Sequence, residues 1–273
     1  MISLRQALNE KRAVFAPYVF DGLQARLAEA AGFEAIYMTG FGTAAARGMP
    51  DVGLLTQTEM VANVAVLAHA VTIPVICDAD TGYGNALNVA RTVREYQRAG
   101  ASALHIEDQV FPKRCGFLEG KEVIPLHEMV PKIRAAVDAK EGEFVIIGRT
   151  DALQPEGWDS VEARARAYHN AGADVIFVDG IKTRADLDEC CRRLGDLPLL
   201  YNGTLENREQ IIARGFRLII HPGTLLIAFE GMRAAMQELH ARGAIDNAPW
   251  AFAQMLELLG APEALAFGKR YEA

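Results

Sequence analysis

Eight short, nearly unbroken apolar runs recur along this chain, each followed by a stretch of helical periodicity. That alternation constrains the fold more than any other feature. The runs cover residues 14–20, 35–39, 74–78, 103–106, 144–148, 174–178, 197–201 and 217–221. Between them, residues 22–31, 56–70, 86–99, 126–139, 160–171, 184–194, 206–213 and 224–242 space their apolar side chains as a helix with one buried face does. An unbroken apolar strand has both faces covered, as in a parallel sheet. A weak repeat marks the joins: Ala31-Gly32-Phe33, Ala99-Gly100-Ala101, Ala171-Gly172-Ala173 and Arg214-Gly215-Phe216 each close a helix with glycine. Eight strands and eight helices in strict alternation, with no linker, predict an α/β fold, a (β/α)8 TIM-type barrel, as one domain over residues 1–273. An open doubly wound sheet is the alternative, but the first strand–helix turn, Asp21-Gly22-Leu23, lacks the G-x-G-x-x-G fingerprint. Residues 246–273 form a C-terminal helical extension that a barrel does not need, periodic over 252–259, which packs on a neighbouring subunit or on the chain's own barrel.

Composition narrows the class. The apolar share of 51% supplies a sizeable core, and the net charge of −7, with acids and bases interspersed, argues against nucleic acid as a partner. No run of about 18 apolar residues is present to span a bilayer. The first residues lack the pattern of a signal peptide. Four scattered cysteines, Cys77, Cys115, Cys190 and Cys191, have no metal-type spacing, and a reducing, cytoplasmic compartment is the simplest expectation.

In such barrels the chemistry sits at the C-terminal ends of the strands. Polar residues collect there: Tyr37, Thr39 and Gly40, then Asp78 and Asp80, Glu107 and Asp108, Arg149 and Asp151, Asp179, Asn202 and Thr204, and His221. Asp78 and Asp80, two apart on an extended segment, point the same way, and Glu107 on the next strand can join them. Oxygen ligands without histidine or thiolate favour Mg²⁺, with Mn²⁺ possible, over Zn²⁺. The competing reading is that these acids cap the following helices. Arg149 offers a planar fork for a substrate carboxylate, or a salt bridge to Asp151 or Glu107. Cys115 follows the cations Lys113 and Arg114, which lower a thiol's pKa from about 8.5 towards the range useful for proton transfer; an incidental loop cysteine is the alternative. His221 either lines the pocket or bonds a neighbouring loop.

These residues resemble the isocitrate lyase/phosphoenolpyruvate mutase superfamily over nearly the whole chain. The likeness is carried by Tyr37-Met38-Thr39-Gly40, Gly48-Met49-Pro50-Asp51, Asp78-Ala79-Asp80-Thr81-Gly82-Tyr83-Gly84, His105-Ile106-Glu107-Asp108-Gln109, Lys113-Arg114-Cys115-Gly116 and Gly148-Arg149-Thr150-Asp151-Ala152. The resemblance implies a barrel that exchanges its last helix with a partner, a homo-oligomer that is commonly a tetramer built as a dimer of helix-exchanged dimers. It also implies Mg²⁺ held largely through water by Asp78, Asp80 and Glu107, with Asp51 nearby. Substrate would be bound by Tyr37, Thr39, Gly40, Phe41, Gly116, Asn202 and Arg149, with Lys113, Cys115 and Arg149 in the catalytic group and Cys115 on a gating loop.

A cysteine on that loop marks the carbon–carbon lyase branch, whereas the branch acting on phosphorus–carbon bonds carries asparagine. The implied reaction is retro-aldol cleavage of a small-molecule 2-hydroxy dicarboxylate, of the alkylmalate or methylisocitrate type. It yields an α-oxo acid and a carboxylic acid whose carbanion Cys115 protonates. Two departures bear on the substrate. Phe117 replaces the histidine that follows Cys-Gly in the lyases, and Leu205 stands where a glutamate is usual after Asn202. Both changes remove carboxylate-facing groups, so a smaller alkylated malate or an oxaloacetate-type substrate is expected rather than a tricarboxylate. The alternatives are an oxaloacetate-type decarboxylase or hydrolase, a phosphonate mutase or hydrolase, and a non-catalytic α-oxo acid binding protein.

Overall fold

The structure, a computed structural model, describes residues 3–116, 118–245 and 251–272. A short helix α1 (Leu4–Asn9) precedes β1 (Val14–Val19), α2 (Gly22–Ala30) and β2 (Ile36–Met38). Next come α3 (Gly40–Ala45), α4 (Gln57–Ala70), β3 (Val75–Asp78), α5 (Ala86–Arg98) and β4 (Ala103–Glu107). The chain continues through α6 (Leu126–Ala139), β5 (Val145–Thr150), α7 (Leu153–Asn170), β6 (Val175–Val178), α8 (Arg184–Leu194) and β7 (Leu199–Asn202). It ends with α9 (Arg208–Ala213), β8 (Leu218–His221), α10 (Gly223–Arg242), α11 (Phe252–Leu258) and α12 (Ala261–Lys269). All eight strands are parallel and close in sequence order, β8 pairing back on β1 through Val14↔Leu218 and Pro17↔His221. This is the expected (β/α)8 barrel.

Three helices escape the sequence reading. α1 and α3 span six residues each, and α12 follows only two residues after α11. In α7 the regular helix over 160–171 is preceded by another turn, joined at Gly157, whose φ of 77° breaks the helix. Among the described residues no helix is long and apolar enough to cross a membrane. The helix exchange concerns a second chain, and the start of the extension, residues 246–250, lies outside the described residues.

The strands are buried along nearly their whole length, as their unbroken hydrophobicity demands. Their two faces nonetheless belong to different cores. Inside the barrel pack Val14, Ala16, Tyr18, Tyr37, Ile76, Ala103, Val145, Ile147, Val175, Phe177, Leu200 and Leu218. Between strands and helices pack Ile36, Met38, Cys77, Leu104, Ile106, Ile146, Ile176 and Tyr201. Because side chains alternate along a strand, the inward set fixes which upper residues enter the barrel mouth. Asp78 follows Ile76, Glu107 follows Ala103 and His105, Arg149 follows Ile147, Asp179 follows Phe177, and Asn202 follows Leu200. The even-numbered Asp108 falls on the outward face, against α7.

Candidate active site

The upper ends of the strands enclose a cavity of about 430 Å³. Tyr18, Tyr37, Thr39, Phe41, Asp51, Asp78, Lys113, Cys115, Gly116, Arg149, Asp179 and Asn202 line it. Ile181, Leu205, Leu225 and Leu226 add apolar surface, with Lys182 and Thr204 among them. The geometry therefore gathers most of the expected site residues, from the ends of β2, β3, β5 and β7, the connection between α3 and α4, and the loop after β4. Glu107 and Asp80 lie just behind the lining, both buried. Phe117 lies outside the described residues.

The acidic cluster is assembled differently from the expectation. Asp78 ends β3, but Asp80 is not on an extended segment: its φ is +46°, a left-handed conformation uncommon for a residue with a side chain. The turn that results, rather than strand alternation, joins the pair, because the Asp80 amide donates to Asp78 Oδ1 at 2.9 Å. Asp78 Oδ2 accepts from the Gly40 amide at 3.2 Å, and a Cβ at Gly40 would come within 2.5 Å of that oxygen. Glycine is needed there by the close approach of the two segments. The helices that follow the acids, α5 and α6, begin at Asn85 and Pro125, so the acids are not their N-caps.

Lys113 sits among these acids. Its ammonium is 2.8 Å from Asp80 Oδ1 and pairs closely with Asp51, while the Asp51 carbonyl accepts from the Cys115 amide at 3.1 Å. Burial pushes Asp80 up to about 6 against the pull of Lys113. Burial likewise drives Glu107 well above the ordinary carboxylate range despite Arg149, whose Nε lies 3.2 Å from Glu107 Oε2. Burial raises Asp78 too, but His105, Lys113 and Arg149 outweigh it, and the net shift is downward. Glu107 Oε1 is buried with no hydrogen-bond partner among the described residues. The two cations beside the thiol in sequence have partners of their own, since Arg114 Nη1 donates to the Glu119 carbonyl at 2.8 Å.

Arg149 takes the salt bridges of its second reading, to Asp151 and Glu107. Nε and Nη2 grip Asp151 at 2.8 and 3.0 Å, and its guanidinium lies 5.0 Å from the centre of the Phe177 ring. Nη1 makes no hydrogen bond among the described residues and remains for a ligand. Tyr37 and Asn202 reach the cavity already engaged: Tyr37 OH lies 2.8 Å from His105 Nε2, and Asn202 Oδ1 accepts from Tyr18 OH at 2.8 Å. His221 turns to its own loop and accepts from the Gly223 amide through Nδ1 at 3.2 Å.

Sequence reasoning assigned no role to Tyr18, His105 or Lys121. The first two face into the barrel, but their strands are buried along nearly their whole length, so the apolar runs do not mark which residues face inward. Lys121 lies in irregular chain, which has no period to place it; its side chain is 1% exposed and bonds Asp151 Oδ1 at 3.0 Å and Asp179 Oδ2 at 2.8 Å.

Residues 4–240 match the phosphoenolpyruvate phosphomutase family, covering the whole barrel. The chain belongs to this family. The 2,3-dimethylmalate lyase of Eubacterium barkeri is 42% identical over 243 residues, 84% of this chain and 82% of its own. The 2-methylisocitrate lyase of Aeropyrum pernix is 40% identical over 247 residues, 88% of this chain and 80% of its own. Among solved structures, oxaloacetate acetylhydrolase in complex with 3,3-difluorooxalacetate superposes with a TM-score of 0.93 at 36% identity, over 99% of this chain and 97% of its own. Phosphonopyruvate hydrolase, solved with oxalate and Mg²⁺, superposes with a TM-score of 0.90 at 30% identity, over 99% of each chain. The chain is thus an enzyme of the phosphoenolpyruvate mutase/isocitrate lyase superfamily, and its curated relatives named here are lyases.

Proposed function

We propose that this enzyme is a Mg²⁺-dependent carbon–carbon lyase that cleaves an alkylated 2-hydroxy dicarboxylate, of the alkylmalate type, to an α-oxo acid and a carboxylic acid. The observation that carries the substrate class is the mixed lining of the cavity: the charged Asp78, Lys113, Arg149 and Asp179 share it with the apolar Ile181, Leu205, Leu225 and Leu226. Lys182 lines it too. An alkyl-bearing fragment suits the apolar residues, which gain by losing contact with water.

The donor set fits a hydrated hard cation. It is made of carboxylate oxygens, and Glu107 Oε1 is buried without a partner. Among the described residues no three His, Cys, Asp or Glu side chains converge on one point, as direct coordination by all three would need. Mg²⁺ keeps most of its waters and takes one or two carboxylates directly. Asp78, Asp80 and Glu107 would hold it, with Asp51 alongside, and when bound it would supply Lewis-acid polarisation of the substrate's oxygens.

The chain's own residues do the rest. Arg149 Nη1 binds a substrate carboxylate while Asp151 and Phe177 fix the plane of the guanidinium. Thr39, Gly40, Phe41, Tyr37 and Asn202 shape the end of the cavity that holds the α-oxo acid. Lys113 offsets the charge of Asp51 and Asp80. When a base takes the proton of the 2-hydroxyl and the carbon–carbon bond breaks, the bonding pair goes to the carbon alpha to the departing carboxylate; the Cys115 thiol protonates that carbon and is left as a thiolate. Burial of the site keeps solvent protons away from that carbon. The apolar residues exposed on α10 to α12, among them Ile227, Met236, Leu265 and Phe267, support a homo-oligomer in which this face is covered by a second copy.

The close likeness to oxaloacetate acetylhydrolase favours one second reading, cleavage of an oxaloacetate-type 2-oxo acid. A proton NMR time course with Mg²⁺ separates the two. Alkylmalates, 2-methylisocitrate and oxaloacetate are supplied singly, with and without EDTA. Pyruvate or glyoxylate appearing with a carboxylic acid from a hydroxy acid, and abolished by EDTA, is the expected result. Inert hydroxy acids, with EDTA-sensitive loss of oxaloacetate above the metal-only rate, would replace it with the second reading.

A further inference from the structure

Two buried lysines flank the Cys115–Gly116 segment, and only the first has a role so far. Lys113 enters the acid cluster two residues before the thiol. Lys121 follows Gly116 by five residues and does not line the cavity. Its ammonium meets three oxygens: Asp179 Oδ2 at 2.8 Å, Asp151 Oδ1 at 3.0 Å and the Gly116 carbonyl at 3.4 Å. An ammonium has three protons to donate, so this buried charge is fully satisfied. The three acceptors come from beyond β6, from beyond β5 and from the segment that carries the thiol. The fit at Gly116 is close, since a Cβ there would lie 2.7 Å from Asp179 Oδ2.

Asp151 links this lysine to the cavity. Its Oδ1 accepts both from Lys121 and from Arg149 Nη2, so the two cations share one oxygen. An anion at Arg149 Nη1 shares the positive charge of the guanidinium with Asp151, whose bonds to Nε and Nη2 are kept. The part of Asp151's charge that Arg149 then balances less falls more fully on Lys121. We propose that Lys121 is a positioning residue that fastens the Cys115–Gly116 segment over the cavity, and that an anion at Arg149 tightens this fastening through Asp151. The second half rests on the site assignment above, in which a substrate carboxylate takes Arg149. Loss of Lys121 leaves no bare acid, because Asp151 keeps Arg149 and Gln109, and Asp179 keeps Arg149 Nη2 at 3.5 Å.

Hydrogen–deuterium exchange on the full chain in MgCl₂, with and without oxalate, tests both halves. The reporters are the Cys115 amide, bonded to the Asp51 carbonyl, and the Leu118 amide, bonded to the Cys115 carbonyl at 2.8 Å. The amides of β4 serve as controls. In Lys121→Met the reporters exchange about tenfold faster or more, as loss of one charge-assisted anchor allows, while the β4 amides are unchanged. Oxalate slows the reporters in the wild type and not in Lys121→Met, and Lys121→Arg restores part of the effect. Lys121→Gln gives the same comparison should the methionine variant fail to fold. Reporters that exchange at the wild-type rate overturn the fastening. Acceleration that spreads equally to β4 overturns it as well, because Lys121 would then support the barrel as a whole. An equal oxalate effect with and without Lys121 overturns the coupling. Absence of any oxalate effect in the wild type refutes the coupling and, if oxalate also fails to bind by calorimetry, the site assignment, while the ligand-free arm still decides the fastening.

Discussion

Asp108 is the residue whose removal can be worked out most fully. It ends up outside the barrel mouth although it directly follows Glu107, and it is completely buried. Oδ2 accepts from Tyr168 OH at 2.6 Å, Thr150 Oγ1 at 2.8 Å and Arg164 Nη1 at 3.2 Å, and Oδ1 accepts from the Asp151 amide at 2.8 Å. In Asp108→Asn the least costly orientation keeps the oxygen on the three donors at Oδ2 and sets the amide nitrogen against the Asp151 N–H. One buried donor is then orphaned, costing about 1–3 kcal/mol, and the bond to Arg164 loses its charge. Part of that loss is recovered, because burial already pushes the Asp108 carboxyl upward and a neutral amide is easier to bury. Arg164 also retains Glu156 and the Ile124 carbonyl. The net cost is about 2–3 kcal/mol, which in a chain of this size lowers Tm by about 4–12 °C. The comparison is made by thermal unfolding at pH 7 and equal protein concentration, since oligomers have concentration-dependent Tm. The Asp151 backbone loses its anchor, so oxalate affinity should fall as Arg149 loses alignment. A variant within about 2 °C of the wild type with unchanged oxalate affinity would show that the four contacts do not act as a unit.

Three further outcomes are expected. Arg149→Ala should reduce kcat/KM by about 10³-fold or more while the chain still folds; normal turnover with normal metal dependence would end its role in carboxylate binding. Cys115→Ser should cut hydroxy-acid cleavage by about 10²–10⁴-fold in the NMR assay, and a near-wild-type rate would remove the thiol as proton donor. Burial raises the Asp174 carboxyl, but hydrogen bonds from Arg5 and Lys140 outweigh it, and its folded pKa lies below the ordinary value. Its stabilisation is therefore complete above the unfolded value of about 3.9 and is lost as pH falls through the folded one. The Tm advantage of wild type over Asp174→Asn should hold from about pH 8 to 5 and shrink below about pH 4; an advantage independent of pH down to 3 would contradict the ion-pair account.

Most of the barrel was legible because burial on both faces leaves an unmistakable mark on strands of three to six residues. The eight apolar runs and the observed strands differ by a residue or two at their ends, where the last turn of a helix or the mouth of a barrel blurs the boundary. The same continuity hid the parity that sorts the site. In β4 every residue from Ala103 to Glu107 is buried, so hydrophobicity alone cannot say whether Glu107 or Asp108 enters the cavity. The inner core answers it, since Ala103 and therefore Glu107 face inward. The short helix α3 was invisible for a different reason: its six residues, Gly40-Phe41-Gly42-Thr43-Ala44-Ala45, show no apolar face, and it is held by the Thr39 cap and by Asn63, which donates to Thr43.

What a sequence does not encode locally is which partner a charged group chooses. Arg149 illustrates the point, because carboxylate capture and pairing with Asp151 looked like rival readings when only the sequence was considered. Asp151 shares the inward parity of Arg149, and a buried guanidinium with five protons can satisfy a structural acid along one edge and keep another donor for a ligand. On the proposed function, the pairing would make capture effective: an unpaired arginine over Phe177 would be free to rotate, whereas one gripped by Asp151 holds Nη1 in a fixed direction. Fixing the direction beforehand lowers the entropy lost on binding, so the structural contact and the functional one belong to the same design. The same logic extends to Lys113 and Lys121, whose ion pairs neutralise acids and at the same time hold the thiol's segment against the cavity from both of its ends.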